Sequence, residues 1–389
     1  MNHTSCAELL QAMVRIDSVN SQISNKPEAE AELSDYMEGL AAESGFDTCR
    51  FPVSDEYSNL LITCDVDADA PWLLFESHRV QVTIDGMTVE PFGGVIEEGR
   101  LWGRGACDTK GTGAAMFWAL HQYVQESARQ NNVAILYTVD EEVSKTGAKT
   151  FVSEHLSGLD WSPAGVIIGE PTVLRPIVAH NGVVRWNIET AGIAAHSSNP
   201  AAGRSAISDM VKVIDALESK YIPSLTASHS LTGEAQCSIN VIRGGALINI
   251  IPEHCEISID RRVVPGEDLH EVLPAVENAL NELRQQDAGI QVKQATPTMI
   301  DPPLDPKGGE QLAAFVCRTL ESMKLPALPE GVPFGTDGSA FSVEGIPTLV
   351  LGPGDIAQAH TCDEWIDLDQ LEQGVEVYKS LMQKPLFGG

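Results

Sequence analysis

Short apolar runs alternate with amphipathic helical patterns along most of the chain. Runs with the length and composition of buried strands lie at 59–63, 72–75, 133–139, 165–168 and 348–351. Apolar residues at helical spacing lie at 113–125, 148–155 and 368–382. Strands that alternate with helices are typical of a sheet covered by helices. The pattern predicts an α/β fold with a mixed, mostly parallel sheet flanked by helices.

The stretch 178–296 has a different order of predicted strands and helices. Its strand-like and helix-like segments follow in the order strand, helix, strand, strand, helix, strand, as in a small α+β domain. The proline-rich TPTMIDPPLDP at 296–306 ends this stretch. We therefore predict an inserted α+β domain at 178–296 between the two parts of a larger domain, 1–177 and 297–389.

Composition adds limits on partners and location. Acidic residues outnumber basic ones by 55 to 25 in 389 residues, which gives a formal net charge of −30. Such a charge disfavours nucleic acid and anionic lipid as partners and favours cations. No apolar run approaches the roughly 18 residues of a membrane span, and the first twenty residues lack a signal-peptide pattern. We expect a soluble, cytoplasmic protein with no nucleic-acid or membrane partner.

Acids and histidines follow the predicted strands in a non-random set. The metal-competent or acid/base side chains in these positions are His78, Asp108, Glu141, Glu142, Glu170 and His360. Ligand sites of parallel sheets lie beyond the carboxyl ends of the strands. Any one of these residues, taken alone, is better explained as a helix cap or turn residue. Together they suit two zinc ions that share a bridging carboxylate, with one carboxylate left as a general base.

The chain also resembles a known family. The motifs LLFESH, GRLWGRGACDTKGTGAAM, TVDEEVSKTGA, IIGEPTVLRPIVAHNG, AAHSSNPAAGRSAI and LVLGPGDIAQAHTCDEWI occur in the order found in the acetylornithine deacetylase, succinyl-diaminopimelate desuccinylase, aminoacylase and glutamate carboxypeptidase family. The resemblance implies a catalytic domain with two zinc ions, which cobalt can replace. It also implies that the inserted domain is ferredoxin-like and forms a homodimer or a lid.

The resemblance implies a role for each metal-competent residue. It makes His78 and Glu170 ligands of one ion, Glu142 and His360 ligands of the other, Asp108 the bridge, and Glu141 the general base. It also implies a cis peptide bond between Asp108 and Thr109.

Four further residues match positions on the substrate side of the family. His196 resembles a histidine of the family that stabilises the oxyanion, often from the partner subunit. Without the resemblance, it would be interpreted as an ordinary histidine at a strand end that caps a turn. Asn249 and Arg262 match positions that hold a substrate carboxylate, with Arg262 preferred over Arg261 from the alignment of RVVPG. Thr336 matches a loop beside the substrate.

The sequence departs from the family pattern at Val80, and Thr83 stands where the family usually has a proline. Family members carry His-x-Asp, in which the aspartate orients the ligating histidine, but here Val80 occupies the acidic position. Losing such a carboxylate typically weakens metal affinity or activity about 10 to 100-fold. Either another acid or a backbone carbonyl orients His78 and the enzyme works, or the first metal site is weakened.

The reaction implied is hydrolysis of an amide in a small molecule. We expect a zinc-dependent deacylase of an N-acyl amino acid, closest in its motifs to acetylornithine deacetylase. Alternatives are a dipeptidase or carboxypeptidase of the same family, and a weakened homologue that binds metal or an amino acid. A structural α/β oligomer is disfavoured by the order of the motifs.

Overall fold

A computed structural model describes residues 3–24, 26 and 29–386 of the chain. The chain forms two compact units. Unit 1 comprises Met1–Val178, Pro306–Gly331 and Thr336–Gly389, and unit 2 comprises Ala179–Asp305 and Val332–Gly335.

Strands occur in both units. Within the described residues they are β1 (Asp47–Pro52), β2 (Ser58–Cys64), β3 (Trp72–His78), β4 (Val95–Glu97), β5 (Arg100–Trp102), β6 (Asn132–Thr138), β7 (Pro163–Ile168), β8 (Ile177–His180), β9 (Gly182–Ala191), β10 (Ala195–His196), β11 (Ser228–His229), β12 (Gly233–Glu234), β13 (Gln236–Gly244), β14 (Ile250–Ile251), β15 (His254–Val263), β16 (Gln291–Gln294), β17 (Met299–Asp301), β18 (Glu330–Val332), β19 (Thr348–Val350) and β20 (Trp365–Asp367).

Helices lie between the strands and at both ends of the described chain. They are α1 (Cys6–Val14), α2 (Ser21–Ser24), α3 (Ala29–Ser44), α4 (Lys110–Tyr123), α5 (Thr146–Thr150), α6 (Ala206–Ala216), α7 (Val272–Gln286), α8 (Glu310–Ser322), α9 (Gly338–Ser342) and α10 (Leu368–Gln383).

The main sheet has the strand order β1-β2-β6-β3-β7-β19-β8-β18. Its centre, β6-β3-β7-β19, is parallel, whereas β1-β2, β2-β6 and β19-β8 pair antiparallel. Every residue of β6 is buried, as expected of a strand covered on both faces. The predicted mixed α/β sheet flanked by helices is confirmed.

The helices of unit 1 bury apolar faces against this sheet and each other. Helix α4 packs against α10, α1 and β3, and its first turn is rich in glycine because the space there is closed. A Cβ atom on Gly111 would lie 2.5 Å from the carbonyl oxygen of Ala106, far inside van der Waals contact. The glycine therefore lets α4 begin directly after the Asp108 loop.

Unit 2 has its own sheet and core. Its main strands run in the order β13-β15-β9-β16, with β17 also paired to β9. Helices α6 and α7 contact this sheet and each other, and the core between them includes Trp186, Met210, Ile257 and Leu280. The order of strands and helices is that of the predicted ferredoxin-like α+β arrangement.

In the part of the chain that the structure describes, no helix is both long enough and apolar enough to span a bilayer.

Candidate metal centre

The predicted metal ligands and base all lie in unit 1. They are placed where strands or helices end or begin: His78 at the end of β3, Asp108 two residues before α4, Glu141 and Glu142 after β6, Glu170 after β7, and His360 on the segment after β19. The predicted cis peptide bond between Asp108 and Thr109 is present.

Asp108 stands between the two imidazoles. Its Oδ1 lies 3.0 Å from His78 Nε2, and its Oδ2 lies 3.3 Å from His360 Nε2. His360 Nε2 is also 3.1 Å from Glu142. Because each oxygen of Asp108 faces a different imidazole, the carboxylate has the arrangement that a bridging ligand requires.

His78 faces two further carboxylates. Its Nε2 lies 3.8 Å from Glu170 Oε1 and 4.0 Å from Glu141 Oε2. His78, Glu141 and Glu170 therefore form one group that could hold an ion, and His78, Asp108 and Glu142 form another. Glu141, predicted to be the base, is thus almost as close to His78 as the predicted ligand Glu170.

A backbone carbonyl orients His78. The Nδ1 atom of His78 lies 3.0 Å from the carbonyl oxygen of Val80, whose side chain is fully buried. A carbonyl only accepts hydrogen bonds, so Nδ1 carries the proton and donates it. Nε2 then faces the carboxylates, and it can offer its lone pair to a metal ion that displaces its proton. The orienting acceptor that Val80 lacks in its side chain is supplied by its main chain.

Glu364 fixes the loop that carries Asp108. The backbone N–H groups of Cys107 and Asp108 donate to Glu364 Oε1 at 2.8 and 2.9 Å. On Oε2, the N–H of Gly105 donates at 3.1 Å and Arg104 Nη1 at 2.8 Å. Glu364 is 1% exposed, so these charge-assisted bonds lie away from water and are stronger for it.

A short loop with a fixed backbone carries Glu141 and Glu142. Its first residue, Asp140, accepts hydrogen bonds on its carboxylate from Asn20 Nδ2, Ser144 Oγ and Thr146 Oγ1. The backbone N–H of Lys145 donates to the carbonyl oxygen of Asp140 at 2.7 Å and closes the loop. The tertiary position of both glutamates therefore depends on Asp140.

The carboxylates draw protons onto the imidazoles. Although burial opposes a charge on His78, its hydrogen bond with Asp108 and the charge of Glu170 raise its pKa well above the usual value. Hydrogen bonds with Asp108 and Glu142 raise the pKa of His360 to about 10. Burial, reinforced by the charge of Asp108, raises the pKa of Glu142 to about 7. The four carboxylates outnumber the two imidazoles, and this excess of negative charge attracts cations.

The donors fit divalent metal ions. Zinc bonds of about 2.0 to 2.2 Å let two ligand atoms on one ion lie about 3 to 4 Å apart, and the separations around His78 and His360 fall in that range. Imidazole nitrogen and carboxylate oxygen together suit zinc and cobalt. His78 is buried, whereas the side chain of His360 is 52% exposed, so one end of the site is open to solvent within unit 1.

Two of the predicted substrate-side residues lie together in unit 2. His196 ends β10, which pairs with β14, and the N–H of Ser197 donates to the carbonyl oxygen of Asn249 at 3.0 Å. Both His196 and Asn249 are exposed. The N–H of Ser198 donates to His196 Nδ1 at 3.2 Å, so in the neutral ring the proton is on Nε2.

The other two predicted substrate-side residues are placed separately. Arg262 lies on β15 in unit 2, where its guanidinium is partly exposed and donates to Asp260. Its neighbour Arg261 is buried and contacts Glu267. Thr336 lies in unit 1 just before α9, is fully buried, and accepts a hydrogen bond from the N–H of Gly338 at 3.1 Å.

Sequence reasoning missed three residues of this site. Glu364 is 256 positions from the Asp108 that it holds, and spacing alone gives no sign of such a contact. Asp140 and Lys145 flank the predicted pair Glu141 and Glu142, and their proximity was the available signal. The Nζ of Lys145 lies 3.3 Å from Glu141 Oε1, and both side chains are about nine-tenths buried.

Comparisons with known proteins agree with one another. Residues 75–384 match the sequence profile of the family described as peptidase family M20/M25/M40. The chain is 30% identical to an acetylornithine deacetylase of Myxococcus xanthus over 280 residues, which cover 71% of this chain and 70% of that protein.

A second relative and a solved structure extend the likeness. The chain is 28% identical to an acetylornithine deacetylase of Edwardsiella ictaluri over 379 residues, which cover 93% and 92% of the two chains. The fold matches that of an M20 family metallo-carboxypeptidase from Sulfolobus solfataricus with a TM-score of 0.79 at 17% identity, over 99% of each chain.

Proposed function

The chain belongs to peptidase family M20/M25/M40 and is a metal-dependent hydrolase of amide bonds, and we propose that it deacylates an N-acyl amino acid. The observation that carries the proposal is that two imidazoles and four carboxylates, one of them that of Asp108, lie in one cluster. The two acetylornithine deacetylases among its relatives support N-acetylornithine as the first substrate to test.

The metal content that we propose is two zinc ions, replaceable by cobalt. His78 and Glu170 would hold one ion, Glu142 and His360 the other, and Asp108 both. When bound, such ions polarise an amide carbonyl and acidify water. The carbonyl of Val80 favours a working site over a weakened one, because it already gives His78 the orientation that a ligand needs.

Glu141 is the general base in this proposal. Its Oε1 is held by Lys145, while its Oε2 faces His78 Nε2. Oε2 is thus the oxygen that takes the proton from the attacking water and returns it to the nitrogen of the departing amine. A base in this role typically contributes about 10² to 10⁴-fold to the rate.

His196 is proposed to stabilise the oxyanion. Since Ser198 donates to Nδ1, Nε2–H is the available donor, and it lies on an exposed side chain. A donor aimed at the developing oxyanion is typically worth about 10² to 10³-fold in kcat. The role requires that His196 reach the substrate, from the same chain or from a partner subunit.

Asn249, Arg262 and Thr336 are proposed to bind the substrate. The Nε edge of the Arg262 guanidinium donates to Asp260. The other edge, between Nη1 and Nη2, suits the carboxylate of an amino acid, because it offers two parallel donors. Its partial exposure contrasts with the burial of Arg261, which supports the choice between the two arginines.

We also propose a homodimer formed through unit 2. Strand β13 lies at the edge of its sheet, and Ile242 on this strand is 55% exposed. On α6, Val211 is 58% exposed. An exposed apolar edge strand tends to pair with another chain. Sedimentation of the wild type and of Ile242→Lys tests this: a dimer that the substitution dissociates supports the proposal, and a monomeric wild type contradicts it.

A substrate panel tests the proposed reaction. The protein is stripped with a chelator, reloaded with zinc or cobalt, and assayed with N-acetylornithine, other N-acetyl amino acids and dipeptides. We expect two ions per chain and turnover of an acyl amino acid that the chelator abolishes and either metal restores. Preference for dipeptides would identify a peptidase, and two bound ions without any turnover would identify a binding homologue.

A further inference from the structure

The carboxylate of Glu141 has a different partner for each of its two oxygens. On one side, its Oε2 is 4.0 Å from His78 Nε2, in a group with Glu170 that could hold an ion. On the other side, its Oε1 is 3.3 Å from Lys145 Nζ. A carboxylate that binds the ion through its oxygens has fewer lone pairs with which to take a proton. The groups around Glu141 must therefore determine whether its carboxylate binds the ion or acts as the base.

We infer that Lys145 is a positioning residue that keeps Glu141 in the role of base by holding Oε1 away from the ion. The inference rests on the proposed function, because it presupposes that Glu141 is the base. Without the ammonium group, we expect Glu141 to turn toward His78 and Glu170 and to add its oxygens to the first metal site.

Lys145 has a fixed position from which to hold the carboxylate. Its backbone is left-handed, with φ of 57°, and its N–H donates to the carbonyl oxygen of Asp140. Asp140 is itself held by three side chains, including Thr146 in the next turn. Lys145 is 7% exposed, so water competes little with Glu141 for its ammonium group.

The charge of Lys145 is also placed among other buried acids. Thr138 Oγ1 lies 2.6 Å from Glu76 Oε1 and 3.1 Å from Asp337 Oδ2. Burial raises the pKa of both acids, and the charge of Lys145 opposes part of that rise. Removing the charge outright therefore disturbs more than Glu141. The test needs a variant that keeps the charge and one that removes the carboxylate.

The experiment compares Lys145→Met, Lys145→Arg, Glu141→Gln and the double variant Lys145→Met/Glu141→Gln, each loaded with cobalt. Cobalt absorbs in the visible range with an intensity that falls as its coordination number rises, so it reports whether Glu141 has joined the metal shell. In Lys145→Met we expect weaker, shifted bands, at least about a tenfold loss of kcat, and little change in KM.

The other variants separate positioning from a structural role. Lys145→Arg should restore the wild-type spectrum and most of the activity, since the guanidinium can hold Oε1. In the double variant the spectral change should be smaller than in Lys145→Met, because the amide is a poorer ligand than a carboxylate. Should Lys145→Met fail to fold by circular dichroism, Lys145→Gln takes its place.

The outcomes are distinct from those of the proposed function. A cobalt spectrum unchanged in Lys145→Met, or one changed equally in the double variant, overturns the inference. The absorption measurement needs no turnover, so a wild type that hydrolyses nothing in the panel refutes the proposed function while the spectrum still shows whether Lys145 restrains Glu141.

Discussion

Replacing Glu364 by glutamine tests whether the Asp108 loop depends on a distant carboxylate. In the wild type, Oε1 accepts two backbone N–H groups and Oε2 accepts one more together with Arg104. Glutamine keeps one carbonyl oxygen, but its amide group then faces the N–H of Gly105 and the guanidinium. Both are donors, so two of the four hydrogen bonds are lost.

The expected loss of stability follows from the burial of the Arg104–Glu364 ion pair. The side chains of Arg104 and Glu364 are 3% and 1% exposed, and removing one partner of a buried ion pair typically costs about 3 to 5 kcal/mol. We expect the free energy of unfolding of the metal-free protein to fall by that amount. Because the N–H of Gly105, in the loop that carries Asp108, is among the groups that lose their acceptor, metal affinity should fall as well, about 10 to 100-fold as for other groups that orient ligands.

Urea denaturation and chelator competition measure the two effects. The matched control is Glu38→Gln, which breaks a comparable carboxylate contact with Arg50 on the surface, where such a pair is worth about 0 to 1 kcal/mol. If Glu364→Gln unfolds at the same urea concentration as Glu38→Gln and binds metal like the wild type, the reasoning about the Asp108 loop is refuted.

Three further predictions concern the site. Glu141→Ala should keep both metal ions but lose about 10² to 10⁴-fold in kcat, as measured by metal analysis beside steady-state kinetics; an unchanged kcat would remove Glu141 from the mechanism. His196→Ala should lower kcat without changing metal content, and equal activity would return His196 to the role of a turn residue. Val80→Asp should destabilise the protein to urea without raising metal affinity or activity, because a charge at this fully buried position is costly and the carbonyl of Val80 already orients His78; a gain in metal affinity would contradict this.

Much of the fold could be predicted because its signals are local. Continuous apolar runs such as 133–139 mark buried strands, and β6 occupies most of that run with every residue buried. The resemblance in motif order agreed with the family match over residues 75–384. His78 and Glu170 could be proposed together because strand ends of a parallel sheet meet at one edge.

Other features depend on contacts that no local pattern encodes. Val80 suggests a weakened site when only side chains are considered, because a sequence does not show where a carbonyl oxygen points. In the sequence, nothing distinguishes Glu364 from the other acidic residues, of which there are 55 with Glu364 included. Only the fold brings it to the N–H of Asp108.

The sequence by itself determined the class of fold, the family and the residue types available for metal binding. Strand periodicity and motif order can be observed in the order of the residues, without knowledge of contacts between distant parts of the chain. Only the tertiary structure decided how those residues are used. Orientation and charge compensation depend on distances of about 3 Å between groups far apart in sequence, as in the contact of Asp108 with Glu364, or on backbone geometry, as in the hydrogen bond from His78 to Val80.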